Sequence, residues 1–424
     1  MKEVPGQMRT KPSGADKVSA TSGAASSRPL SALLSQMLVA YTVEFNNEFE
    51  RRMSEAGIAG ANLSLVVWLN LMQFLDKAGV TVRDLAGKAL APVGRTKFEL
   101  GCLERWGYVA LQPDSEDSRP FRSAMHSRAG RELRDGWGSG RGIREAWIVR
   151  PSARGHQAME IWPHLFPMME ERWETRFGGK IIGGLRQALA AVVEQLEFEL
   201  PEALPGDWEG AQNFPEKVTR DSKRLALPTL ISRLLIAFKL EFDRESRPSL
   251  GLCANTLRVL GEKPIRVGQI AHLTGTSREM SDIGWRLKPY VVVESDPTAK
   301  RGKWVRLSGA GLAAQATYRR LVAEIEERWE QRFGRDQVRE LRERLLGLFM
   351  QREGDRLLLS EGMVPPQGVV RAGEVVPALG RKTVGVAARQ RARELVEQTE
   401  SFVRDPGNAL PHFPLWDFNR GFGP

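Results

Sequence analysis

The chain is poor in the residue types that build covalent or metal-based sites. It has two cysteines, Cys102 and Cys253, in 424 residues. Two thiols cannot make a disulfide framework, so a reducing, cytoplasmic setting is expected. Its five histidines are His126, His156, His164, His272 and His412. None stands beside a second ligand type at metal-binding spacing. No apolar run approaches the roughly 20 residues needed to cross a bilayer, so no membrane partner is expected. Residues 1–29 are rich in Ser, Ala, Gly and Lys and lack an apolar core, which reads as a disordered tail and not a signal peptide. There is no P-loop, no dinucleotide glycine fingerprint and no nucleophile elbow. The carboxylates fall in helical charge patterns such as Glu324, Glu326 and Glu327 beside Arg328, which are ordinarily solvated faces. Neither catalysis nor a cofactor is expected.

What the chain does have is positive charge and internal repetition. Lys and Arg total 62 against 52 Asp and Glu, a net charge of +10. An excess of that sign favours a polyanionic partner, because neutralising phosphates dominates non-specific nucleic-acid affinity. Two blocks recur in the same order. Leu33–Glu48 aligns without gaps with Leu230–Glu245 and is identical at seven of sixteen positions, among them Ser35/Ser232, Glu44/Glu241 and Phe45/Phe242. Glu170–Gly178 matches Glu326–Gly334 at eight of nine positions. Two matches in register point to a duplicated unit. Between the blocks, the stretch from Tyr108 to Trp147 is much longer than that from Tyr290 to Trp304, so one loop is expanded. Loop-closure cost grows slowly enough with length to tolerate that.

Local patterns place elements on these repeats. Leu34, Met37, Leu38, Tyr41 and Phe45 form a stripe of period 3.6 and predict a helix. So do Leu165, Met169, Trp173 and Phe177, and their counterparts Leu321, Ile325, Trp329 and Phe333. These stripes read as core, and the two copies are expected to share it through their long helices. Between the long helices each copy reads as helix, short helix, turn, helix, strand, loop, strand. In the first copy these are a helix at Val82–Lys88, a helix at Pro92–Trp106, and strands at Tyr108–Leu111 and Ala146–Val149. In the second, Arg266–Leu273 is a short helix and Thr276–Glu279 a capping box, followed by strands at Tyr290–Val293 and Trp304–Leu307. Ser152 and Ser308 then open the closing helices. The resulting division is 30–199 and 228–350 for the two units, 112–146 for the long loop, 200–227 for a Pro- and Gly-bearing linker, and 351–424 for an extension with one helix at Val386–Val403.

A helix-turn-helix followed by a two-stranded hairpin is the winged-helix pattern. Leu287–Gln315 and Leu103–Asp114 with Ala146–Ala158 resemble the MarR family of bacterial regulators. The features they share with it are the recognition helix, the hydrophobic strand, the wing and the hydroxyl-led helix start. Pro289 where the first copy has Gly107, Ser152 and Ser308 for the usual Thr, and the long first wing depart from that pattern. The resemblance implies a mainly α fold with small β-wings, arranged as two tandem winged helices in an intramolecular pseudo-dimer. It also implies a nucleoid-associated transcriptional regulator with double-stranded DNA as partner and a small-molecule effector of unnamed chemistry.

By the geometry of that motif, base edges would be met by Arg95, Thr96 and Lys97 in the first copy and by Ser277, Arg278 and Ser281 in the second. Phosphates would be met by the wing residues Lys300, Arg301, Lys303, Arg141 and Arg144. The bland alternative is that these are ordinary solvated charges and that the long wing is an unstructured insertion. Asp114, Glu116 and Asp117 offset part of its positive charge. Glu279 and Asp282 make the second recognition helix less basic than the first, so the two copies need not read alike. A scaffold that binds proteins through its winged helices is the competing expectation. Cys102, on the first recognition helix, reads as a small buried hydrophobe before it reads as a redox sensor.

Overall fold

The computed structural model describes residues 28–58, 63–112, 142–203, 214–216, 222–276, 287–296, 302–354, 356–363 and 410–414. The chain is mainly helical with small antiparallel sheets. Its first half runs α1 (Leu30–Glu55), α2 (Leu65–Asn70), β1 (Val80–Thr81), α3 (Val82–Lys88), α4 (Val93–Arg105), β2 (Val109–Gln112), β3 (Ile148–Pro151), α5 (Ala153–Phe177) and α6 (Gly179–Glu194). The second half contains α7 (Leu227–Glu245), a π-helical turn at Cys253–Leu257, β4 (Ile265–Arg266), α8 (Ile270–Thr274), β5 (Val291–Ser295), β6 (Lys303–Leu307), α9 (Gly309–Phe333) and α10 (Arg335–Met350). A short hairpin, β7 (Arg352–Glu353) and β8 (Arg356–Leu357), leads into a 3₁₀ turn at Leu358–Met363.

At the centre lie α1 and α7, packed on each other. The stripes seen in sequence would bury only one face of each. In fact α1 is buried nearly all round, polar Ser35, Gln36, Thr42 and Glu44 included. The reason is its surroundings: α5, α7, α10 and the Leu358–Met363 turn all pack against it. α7 is likewise enclosed, with Arg233 and Lys239 among its buried residues. α6 and α10 pack against each other alongside. The stripe residues Leu165, Met169, Trp173 and Phe177 of α5, and Leu321, Ile325, Trp329 and Phe333 of α9, are all buried.

The small sheets follow one plan in both halves. β3 lies between β1 and β2, and β6 between β4 and β5, all antiparallel. The opposed residues are apolar: Val80 and Leu111 flank Val149, and Ile265 and Val293 flank Val305. The third strand of each sheet is two residues long, too short to leave a period-2 signature, and sequence reading does not find it.

Each hairpin is joined to its long helix by the same set of bonds. The Ser152 side chain caps α5 by accepting from Gly155 N at 3.1 Å, and its own N–H donates to Tyr108 O at 2.9 Å. Ser308 does the same with Gly311 at 3.1 Å and Tyr290 at 2.9 Å. Both hydroxyls also donate to the carbonyl just before the first hairpin strand, Gly107 O and Pro289 O. A serine suffices here, since the bond needs only a hydroxyl. The close approach demands glycine. A Cβ on Gly155 would lie 2.1 Å from Tyr108 O, and one on Gly311 2.0 Å from Tyr290 O. At the far ends of α5 and α9, Gly178 and Gly334 turn the chain with φ of 96° and 95°, a region L side chains avoid.

These contacts set a paired test. Gly155→Ala and Gly311→Ala each push a methyl into a backbone carbonyl and should cost about 1–3 kcal/mol or more in urea unfolding. Gly183→Ala, on an open face of α6, should be neutral or stabilising by up to about 1 kcal/mol. Equal behaviour of the three variants would contradict the account of the hairpin lock.

Candidate nucleic-acid interface

The first half presents α3, a tight turn and α4, with the β2–β3 hairpin beside them. Thr81 caps α3, accepting from Asp84 N at 3.0 Å and donating to the Asp84 carboxylate at 2.7 Å. The turn passes through Leu90 at φ 50°; in the second half Gly275 takes the same left-handed conformation at the end of α8, with φ 68°. A left-handed leucine costs roughly 1 kcal/mol, so the turn shape is imposed by its surroundings. Val82 N donates to Trp147 O and Arg83 N to Glu145 O, both at 3.0 Å, which ties the start of α3 to the strand segment. The Glu145 carboxylate lies 2.9 Å from Arg83 and 3.7 Å from Lys97. One acid therefore gathers cations from both helices at the foot of the hairpin.

The residues named from sequence fare unequally. Thr96 is 0% exposed and donates to Pro92 O at 3.3 Å. It shares the inward face of α4 with Leu100 and Leu103, spaced four and seven residues on, so it reaches no base edge. Arg95, with a side chain 17% exposed, folds back onto its own helix. It pairs with Glu99 at 2.7 Å and lies 5.3 Å from the Phe98 ring centroid. The expectation for Thr96 is corrected by its burial, while Arg95 and Lys97 are both partly buried and Gly94 is the exposed residue of the first turn. Arg144 is exposed just before β3, and Lys303 is exposed where β6 begins. Arg141, Ser277, Arg278, Ser281, Lys300 and Arg301 lie outside the described residues, as do Glu279, most of the long wing and the Val386–Val403 helix.

Sequence reading also passed over cations that the fold turns outward. Arg83 and Lys88 on α3, Arg105 at the end of α4 and Arg150 on β3 are exposed. So are Lys263, Arg266 and Lys288 in the second half. Arg266 sits 5.4 Å from the Trp304 ring centroid and 3.4 Å from Asp296. Alternation along β3, with Val149 inward and Arg150 outward, was the available signal.

Burial sets the chemistry of two groups on α4. It pushes the Glu99 carboxyl up, against the pull of Arg95. It also pushes the Cys102 thiol up, against the pull of Arg105, whose Nη2 is 3.0 Å from Sγ. A thiol that stays protonated is a slow nucleophile. Cys102 is 2% exposed, a small core residue as expected.

A second feature is an open groove of about 980 Å³, walled by α1, α5 and the Arg352–Gly362 stretch. Several of its charged residues pair with one another. Glu44 accepts from Trp173 Nε1 at 2.9 Å and from Arg176 at 2.7 and 2.8 Å, and Arg176 continues to Glu361 at 3.0 Å. Arg172 pairs with Glu48 at 3.2 Å. Among the described residues no cluster of three or more His, Cys, Asp or Glu could hold a metal ion. No helix among them is long and apolar enough to cross a membrane.

No family model, curated protein or solved structure matches the chain. The functional reading therefore rests on the residues themselves.

Glu48 gives this region a measurable acid response. Burial alone would raise its carboxyl, but hydrogen bonds from Arg51, Arg52 and Arg172 outweigh that and lower it from 4.5 to about 2. A depressed carboxyl stabilises the fold above its unfolded value, and that stabilisation is lost as pH falls from about 4.5 towards 2. Glu48→Gln should lower stability by about 2 kcal/mol at pH 7 and flatten the loss across that window. Unfolding curves collected from pH 7 to 2.5 would reveal it; parallel profiles for the two proteins would contradict it.

Proposed function

We propose that the chain is a DNA-binding transcriptional regulator of the MarR-like kind. In this reading its two halves are winged helix-turn-helix units held as an intramolecular pseudo-dimer. The observation that supports it best is the repeated lock at Ser152 and Ser308. In each half it fixes a three-stranded hairpin sheet to a long helix, and helical turns precede that sheet. Winged helices bind by laying one helix in the major groove while the hairpin follows the backbone. Lys97 and the exposed Arg83, Lys88, Arg144 and Arg150 would meet phosphates in the first half. Lys263, Arg266, Lys288 and Lys303 would do so in the second. Phosphate contacts fix register without reading sequence, so base reading in the first half falls to side chains other than the buried Thr96.

A second reading has a specific observation behind it. The buried Thr96 and the folded-back Arg95 leave Gly94 and a half-buried Lys97 at the tip of α4, a surface weak in base-reading groups. That favours a scaffold whose winged helices dock on a partner protein. Salt separates the two readings. If about five phosphates are neutralised, the logarithm of the association constant falls with a slope near −4.5 against log salt. That is a loss of roughly 500-fold between 50 and 200 mM. Lys97→Glu and Lys303→Glu should each weaken binding to any duplex and reduce the slope by about 1. Thr96→Val should leave affinity unchanged. Fluorescence anisotropy with random duplex DNA measures all of these; a salt-insensitive titration, or none at all, selects the scaffold.

A further inference from the structure

The five residues Leu410–Pro414 lie in the seam between the two halves. Gln36 Nε2 and Ser35 Oγ, both from α1 in the first half, donate to Leu410 O at 3.0 Å and Pro411 O at 2.9 Å. From the second half, Asn255 grips Phe413 twice: Nδ2 donates to Phe413 O at 2.8 Å, and Phe413 N donates to Oδ1 at 3.1 Å. Asn255 belongs to the π-helical turn, an irregularity that α-helices carry most often at functional positions. The Phe413 ring occupies the notch left by Gly251, where a Cβ would meet the ring at 2.9 Å. Leu410 and Phe413 are buried. The segment is thus a built attachment that ties one half to the other.

His412 sits in the middle of this attachment, in surroundings that oppose its protonation. Its Nδ1 is buried and has no hydrogen-bond partner. Burial and then the charges of Arg258 and Arg28 hold the imidazole well below its ordinary range. Arg258 comes from the residue after the π-helical turn and donates to Ala254 O at 2.8 Å. Arg28 precedes α1, donates to Gln36 at 3.3 Å, and accepts at its carbonyl from Arg342 at 2.6 Å. Glu326, which accepts from Leu30 N at 2.6 Å, is already paired with Arg342. Tyr318 lies by Arg258 and is itself held neutral by burial.

We propose that Leu410–Pro414 is a pH-responsive clasp, released from the seam when the His412 ring takes a proton. The sign follows from linkage. The docked ring resists protonation, while the released one regains an ordinary value near 6.5. Docking is therefore favoured above about pH 6.5. Below that, each unit of acidification shifts the equilibrium about tenfold towards release, until the docked ring itself titrates. Acidification would free the seam between the halves without unfolding either.

Hydrogen–deuterium exchange on the full chain at pH 7.5 and 5.5, corrected for the intrinsic pH dependence of exchange, tests this directly. In the wild type, opening at residues 410–413 should rise about 10-fold at the lower pH. His412→Gln, which cannot charge, should open equally at both. Asn255→Ala should open more at both, which verifies that the measurement reports on the clasp. If His412→Gln docks poorly at pH 7.5, His412→Phe, which likewise cannot charge, serves instead and should also open equally at both. An unchanged wild type, or an acid response of wild-type size in His412→Gln or His412→Phe, would overturn the proposal.

Discussion

A carboxylate held by a tryptophan and an arginine organises each half. Glu44, 2% exposed, takes the indole N–H of Trp173 and the guanidinium of Arg176. Glu241 takes Trp329 at 3.0 Å and Arg332 at 2.5 Å. The acid lies on the central helix, and the Trp and Arg lie on the long helix that crosses it. The contact therefore fixes where α5 and α9 run, and through Ser152 and Ser308 it fixes where the hairpins stand. Removing one partner of the buried Glu44–Arg176 pair costs about 3–5 kcal/mol, because the other charge is left in the interior. The repeated blocks in the sequence are these same residues, so what recurs in the chain is the hub and not only a helical pattern.

The hub differs between the halves in what covers it. Around Glu44, the turn at Leu358–Met363 adds Glu361 to Arg176, which is only 10% exposed. Around Glu241 the matching Arg332 is 44% exposed, and the acid itself 16%. The hydrogen-bond pattern is the same but the dielectric is not, so the first hub is the more costly to break. The C-terminal extension is the source of the difference. One part of it closes the first hub, and another part clasps the seam. Two halves of like build thereby become inequivalent, which fits a reading in which they need not engage DNA alike.

Much of this was legible in the sequence because it rests on periodicity and repetition. The buried stripes of α5 and α9 follow from spacing, and the strand patterns at 108–111 and 304–307 fall within a residue of the observed 109–112 and 303–307. The misses have physical causes. α1 and α7 are enclosed by several neighbours at once, and no single stripe records how many surfaces a helix will meet. Motif position alone points Arg95 and Thr96 outward, whereas Leu100 and Leu103 set the helix phase and turn Thr96 in. Arg95 then found Glu99 one turn along, a pairing that an i,i+4 reading would have caught. Residues 410–414 carry no periodic signal, because backbone hydrogen bonds to Ser35, Gln36 and Asn255 hold them. Such bonds depend on tertiary position and leave no pattern in the chain.

The central claim is that two linked modules offer basic helices and hairpins to a duplex. Selection of bound fragments from sheared genomic DNA by the purified full chain tests it most directly. Two engaged modules predict enrichment of a bipartite site, its halves about one helical turn or a multiple apart and not necessarily palindromic. One engaged module predicts a single half-site. Recovery of fragments with no enrichment over the input pool would contradict the regulator reading.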